Sequence, residues 1–221
     1  MTDQQILSHV DHTLLKPTAT WDDIQKLCHE AMEYQVASVC VAPSYVARIN
    51  ENYEGLAVCT VIGFPLGYNE GYVKYTEVMK AMEDGAEELD VVVNICDVKN
   101  GNFDKIEAET SALKRACGSK LLKLIVETCY LDEYEKKKMC EIVTNAGADY
   151  IKTSTGFGSA GATMEDILLF KQHIGPEVKI KASGGIRTRE DMCAYLEAGC
   201  QRLGTSSAVQ IIMGRKQQGS Y

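Results

Sequence analysis

The stretch NAGADYIKTS, residues 145–154, closes an amphipathic segment on Gly147 and turns at once into a short strand-like run that carries Lys152. The same module occurs as DGAEELDVVV at 84–93 and as EAGCQRLGTS at 197–206. Gly85, Gly147 and Gly199 fall where a helix C-terminus must turn back, a position that needs positive φ. Outward from these three modules, short apolar runs alternate with longer helical segments, the pattern of consecutive βα units on a parallel sheet. Eight runs are present: HTLL near 12, VASVCVAP near 40, LAVCTVIGF near 60, ELDVVVNI near 91, KLLKLIVET near 124, DYIKTS near 151, VKIKAS near 180 and QRLGTSS near 204. Helix starts are signalled by Thr20 with Asp23, Thr163 with Asp166 and Thr188 with Asp191, each a capping residue followed three positions on by an acid. Repetition of one module favours an α/β fold of the TIM-barrel class, (β/α)8, over an open doubly wound sheet. The 221 residues contain no linker, so a single barrel domain is expected over 1–221.

Composition narrows the function. A formal net charge of −8 argues against nucleic acid and acidic membrane surfaces, whose binding relies on basic patches. No apolar run reaches the roughly 18 residues of a membrane span, and the opening MTDQQILSHV lacks the pattern of a secretory leader, so a cytoplasmic protein is expected. Nine cysteines, odd in number and never spaced as Cys-x-x-Cys, read as reduced, mostly buried thiols. Cys40, inside the second run, reads as core. The four histidines form no metal-binding pattern, so neither a metal nor another cofactor is expected.

Side chains alternate faces along a strand. In the fourth run Leu89, Val91 and Val93 form one apolar face, which leaves Asp90, Val92 and Asn94 on the barrel side; in the fifth, Lys123, Ile125 and Glu127 are left. The sixth and seventh leave Lys152 with Ser154, and Lys179 and Lys181 with Ser183. Two acids and up to four lysines then point into one interior. Burying them is costly unless they pair. They are either an internal ion-pair network that closes the barrel or a reaction centre, and for Lys179, farthest from the strand's C-terminal end, the former fits better. An ordinary lysine is neutral in only about 0.04% of molecules at pH 7. A second ammonium on the adjacent strand disfavours protonation of the first and makes it a nucleophile. The imine it forms with a carbonyl compound serves as an electron sink for making or breaking the neighbouring carbon–carbon bond, with Asp90 and Lys181 moving protons.

Barrel enzymes often bind phosphate with the loops after strands seven and eight. Here those loops read Ser183-Gly184-Gly185-Ile186-Arg187 and Gly204-Thr205-Ser206-Ser207, and a third glycine-bearing loop, Thr155-Gly156-Phe157-Gly158, follows strand six. Each glycine alone marks only a turn; their placement after consecutive strands marks an anion pocket.

The motifs IKTSTGFG, KASGGIRT, ELDVVVNI and DHTLLKP, spread over nearly the whole chain, closely resemble those of the deoxyribose-phosphate aldolase family. The resemblance implies a metal-independent barrel that cleaves 2-deoxy-D-ribose 5-phosphate reversibly to D-glyceraldehyde 3-phosphate and acetaldehyde in deoxyribonucleoside breakdown, as a small homo-oligomer, commonly a dimer. It implies Lys152 as Schiff-base lysine, Lys181 as second catalytic lysine and Asp90 as proton-transfer acid. It also implies Asp11 and Thr155 as contacts to the sugar hydroxyl, and Gly156, Gly184, Gly185, Ser206 and Ser207 as the phosphate pocket; Arg187 adds charge beside it. Phe157 stands where some members carry lysine, and Tyr221 resembles a terminal tyrosine that reaches the site in some relatives. A transaldolase-like enzyme with another donor, a phosphosugar isomerase and an inactive phosphometabolite-binding barrel remain alternatives.

Overall fold

Strands buried on both faces need an outer wall of helices and a filled interior, and alternation of side chains supplies both. In the computed structural model, which describes residues 1–214, the chain runs α1 (Asp3–Leu7), β1 (Val10–Leu14), α2 (Trp21–Glu33), β2 (Ser38–Val41), α3 (Val46–Asn52), β3 (Val58–Ile62), α4 (Gly71–Glu83) and β4 (Glu88–Val92). It continues with α5 (Ile95–Lys99), α6 (Phe103–Cys117), β5 (Leu121–Ile125), α7 (Glu133–Ala146), β6 (Tyr150–Lys152), α8 (Met164–His173), β7 (Lys179–Ser183), α9 (Arg189–Ala198), β8 (Arg202–Thr205) and α10 (Ala208–Ile212). The eight strands pair in parallel in sequence order, and β8 returns to β1 to close the barrel. The expected (β/α)8 architecture is what forms. Tyr221 lies outside the described residues.

The expected caps form as well. Thr20 and Thr188 make reciprocal capping boxes with Asp23 and Asp191, while Thr163 accepts from the Asp166 amide. Gly147 and Gly199 end α7 and α9 in left-handed conformations. Outward-facing Leu89, Val91, Leu122, Leu124, Ile151, Ile180 and Leu203 join the helices' apolar faces in one continuous core. A second, smaller cluster of Leu15, Cys40, Cys59 and Val61, with Phe64 against it, stands apart from that core.

Three boundaries differ from the sequence reading. β1 begins at Val10, two residues before the HTLL run, and therefore includes Asp11, a residue of low strand propensity held there by pairing with Ser38 and Gly204. β5 ends at Ile125, so Glu127 lies past the strand on a left-handed backbone, φ 53°. Lys179, grouped with the interior lysines by alternation, is exposed at the N-terminal end of β7, its ammonium 5.7 Å from the Tyr150 ring centroid.

Candidate active site

Register brings the charges together. Asp90 is level with Lys123 on β5, and Lys152 is level with Lys181 on β7. Neighbours in a parallel sheet share a face, so all four point inward. Lys152 and Lys181 both donate to Asp90 Oδ2, at 2.7 and 2.6 Å, while Lys123 donates to Oδ1 at 2.8 Å. The Cys59 thiol also reaches Oδ1, at 3.2 Å. One carboxylate thus carries three ammonium groups.

Three groups that alternation did not reach complete the network. Glu88, first residue of β4, lies 2.6 Å from Lys123 and accepts both guanidinium nitrogens of Arg202 at 3.0 and 3.1 Å. Arg202 also donates to Asp11 Oδ1 at 2.5 Å, Ser38 donates to the same oxygen at 2.9 Å, and Lys181 pairs with the other Asp11 oxygen. Gly204 permits this arrangement: a Cβ there would lie 2.9 Å from Ser183 Cβ and 3.1 Å from the Lys181 side chain. Signals for these residues existed, since Glu88 is one alternation step before Asp90 and Arg202 one step before Gly204.

Electrostatics follow from the contacts. Burial alone would raise the Asp90 carboxyl, but Lys123, Lys152 and Lys181 outweigh it and hold Asp90 well below the usual carboxylate range. Asp11 is held down in the same way, against burial, by Lys181, Lys123 and Arg202. Burial disfavours the Lys123 and Lys181 ammonium groups, yet the Asp90 and Asp11 carboxylates hold both above the ordinary lysine range. Lys181 is therefore a cation in the resting site, and it shares one Asp90 oxygen with Lys152. Four cations meet three carboxylates in ion-pair contact, which leaves one positive charge in excess. Lys123, Lys181 and Arg202 each touch two or more carboxylates; Lys152 has only its share of Asp90. Lys152 is also the last residue of its strand, at the end of the barrel where such enzymes place their reactive groups. Of the four cations it has the fewest carboxylate partners.

The two donor groups with metal-like spacing, Cys40–Cys59–Asp90 and Asp11–Cys59–Glu88, use carboxylates that already bear lysine or arginine cations. A divalent ion there would have to displace Lys123.

Around the mouth, Thr155 donates both its amide, at 3.1 Å, and its hydroxyl to the Glu127 carboxylate, and the Thr155 oxygen accepts from the Phe157 amide at 3.0 Å. Burial pushes the Glu127 carboxyl up, against those hydrogen bonds. The loops after β6 and β7 lie in contact: a Cβ on Gly184, at φ 80°, would be 3.0 Å from Gly161 Cα and 3.7 Å from Gly156 Cα, and the Ala162 amide donates to the carbonyls of Ser183 and Gly184. The Thr205 hydroxyl reaches the Ile186 carbonyl at 3.5 Å, which joins the β8 end to the β7 loop, and Ser207 precedes α10. Gly156, Gly184, Gly185, Ser206 and Ser207 thus occur on adjoining loops on the same end as Lys152, as does the exposed Arg187, whose amide donates to Asp191.

Fold and site together define an α/β-barrel enzyme with a lysine–carboxylate cluster inside its barrel. Residues 5–217 match the DeoC/LacD family aldolases. A protein of Clostridium botulinum (strain Alaska E43 / Type E3) named deoxyribose-phosphate aldolase is 57% identical over 99% of this chain and 100% of its own length. One of the same name from Clostridioides difficile (strain 630) is 56% identical over 95% of this chain and 96% of its own. A structure described as the unique tetrameric structure of deoxyribose phosphate aldolase from Aeropyrum pernix superposes with a TM-score of 0.90 at 32% identity, covering 96% of this chain and 92% of that one. The chain belongs to the DeoC/LacD aldolase family, and it is a lyase.

Proposed function

We propose that this aldolase, working as a single barrel domain, cleaves 2-deoxy-D-ribose 5-phosphate reversibly to D-glyceraldehyde 3-phosphate and acetaldehyde through a Schiff base on Lys152, in deoxyribonucleoside breakdown. The relatives' names and their full-length identity support the substrate. The observation that carries the chemistry is the Lys152 ammonium on an Asp90 oxygen already shared with Lys181.

Neutral Lys152 attacks C1 of the open-chain sugar. Lys181 donates a proton to the departing carbinolamine hydroxyl, and loss of water leaves the protonated imine. Removal of the C3 hydroxyl proton breaks the C2–C3 bond; its electron pair flows to the imine nitrogen and C3 becomes the aldehyde of glyceraldehyde 3-phosphate. The enamine is protonated at C2, and water releases acetaldehyde. Asp90, a carboxylate in the resting site, takes up and passes on protons between Lys181 and the reacting atoms. Gly156, Gly184, Gly185, Ser206 and Ser207 hold the phosphate through amides and hydroxyls, with Arg187 adding charge, and Asp11 and Thr155 orient the sugar hydroxyls.

Six reduced, buried thiols fit a cytoplasmic setting, and no helix among the described residues is long and apolar enough to cross a membrane. A homodimer is supported by a patch on α4 and the loop before it, where Leu66, Tyr68, Tyr72, Tyr75 and Met79 are each more than two-fifths exposed. Sedimentation at micromolar concentration reads the dimer directly.

The test of the reaction is release of glyceraldehyde 3-phosphate, followed by a coupled dehydrogenase. Turnover of 2-deoxyribose 5-phosphate is expected; imine formation on Lys152 without that turnover would point to a transaldolase-like donor, and isomerisation without an imine to an isomerase.

A further inference from the structure

The reaction as proposed uses Lys152, Lys181 and Asp90, yet the most heavily paired cation in the barrel is Lys123, which it does not use. Lys123 is fully buried, and its ammonium lies 2.6 Å from Glu88, 2.8 Å from Asp90 Oδ1, 3.3 Å from Cys59 Sγ and 3.8 Å from Asp11. An interior that needed only closing would be served by apolar side chains, because isolated charge pairs of this kind seldom repay their desolvation. Lys123 instead occupies the Asp90 oxygen opposite the one shared by Lys152 and Lys181.

We infer that Lys123 and Glu88 are positioning residues that set the charge balance of the network and, through Asp90, how readily Lys152 gives up its proton. This rests on the Schiff-base reading of Lys152. With Lys123 in place four cations meet three carboxylates in ion-pair contact, Glu127 being engaged by Thr155 instead, and shedding one proton brings the paired network to balance. Without Lys123 the numbers are equal, Asp90 is left entirely to Lys152 and Lys181, and the Lys152 proton is held. Removing the Glu88 charge instead raises the excess and eases its loss. The charged and titratable groups facing Lys152 and Lys123 are Asp11 on β1, Cys40 on β2, Cys59 on β3, Glu88 and Asp90 on β4, Glu127 after β5, Lys181 on β7 and Arg202 on β8; only Lys123 and Glu88 are changed in the test.

The experiment is the pH profile of kcat/KM for cleavage of 2-deoxyribose 5-phosphate in the wild type, Lys123→Met, Glu88→Gln and the double variant, with reductive trapping of acetaldehyde on Lys152 measured at each pH. The limb on which activity rises with pH is expected to move up by about one to two units in Lys123→Met, as for one charge removed a few ångströms away in a protein interior. It moves down in Glu88→Gln and returns to the wild-type position in the double variant, where the charge excess is restored. Lys123→Arg keeps the wild-type limb. A merely structural role lowers activity at all pH values without moving the limb, and the double variant is then worse than either single one; that result overturns the inference. If Lys123→Met does not fold, the shift in Glu88→Gln and its reversal in the double variant decide the matter. Failure to trap any imine on Lys152 in the wild type would instead overturn the underlying reading.

Discussion

The two sides of the barrel interior are built on opposite principles. From β4 to β8 the inward positions carry Glu88, Asp90, Lys123, Lys152, Lys181 and Arg202, joined at the seam by Asp11. From the end of β1 to β3 they carry Leu15, Cys40, Cys59 and Val61, with Phe64 against them. The apolar wall excludes water and lowers the effective dielectric, so each charge opposite it acts strongly on the next. Cys59 belongs to both halves: it packs in the apolar cluster while its thiol, pushed up by burial, donates to Asp90. In the proposed reaction the contrast matters, since charges alone would be screened and an apolar lining alone has no nucleophile.

The contrast breaks most completely in Lys152→Ala. Turnover is expected to fall by at least about 10⁴-fold, as when a covalent nucleophile is lost, and no imine forms; retained turnover measured with the coupled assay would refute the assignment. Lys181→Leu is next, with an expected loss of roughly 10²–10³-fold. It keeps the nucleophile, so slow trapping on Lys152 persists in a single-turnover experiment. On the apolar side, Val61→Ala tests packing rather than chemistry. Urea unfolding is expected to show a loss of about 2 kcal/mol while trapping on Lys152 is retained; loss of trapping at full stability would erase the distinction between the two halves.

The smallest effect is the pH dependence of stability. Asp11 and Asp90 are held below the ordinary carboxylate range, so their contribution is full above about pH 4, the unfolded value, and is lost as pH falls through their folded values. Lys123 and Lys181 are held above the ordinary lysine range, so theirs is full below about pH 10.4 and is lost as pH rises beyond it. The melting temperature is expected to change little between about pH 5 and 10 on account of this network and to fall outside that range; a steep decline near neutrality, followed by scanning calorimetry, would contradict the ion-pair assignments.

Much of this was legible in the sequence because it is local. Helix, glycine turn and strand recur as one module, and alternation within ELDVVV, YIK and KIKAS placed Asp90, Lys152 and Lys181 on the inner face. What was missed is non-local or runs against propensity. Arg202 meets Glu88 across 114 positions of sequence, and both stand at strand beginnings, where charged residues read as turn. Asp11 fell outside its strand for the same reason. Glu127 adopts a left-handed backbone, which a glutamate does not advertise, and Lys179 obeys the alternation but sits where the barrel wall meets solvent.

The most direct test of the central claim is mass spectrometry of the protein after incubation with acetaldehyde and borohydride, with peptide mapping of the added ethyl group. The account predicts modification confined to Lys152 and suppressed by 2-deoxyribose 5-phosphate. Labelling of Lys123 or Lys181 in its place, or no selective label at all, would contradict it.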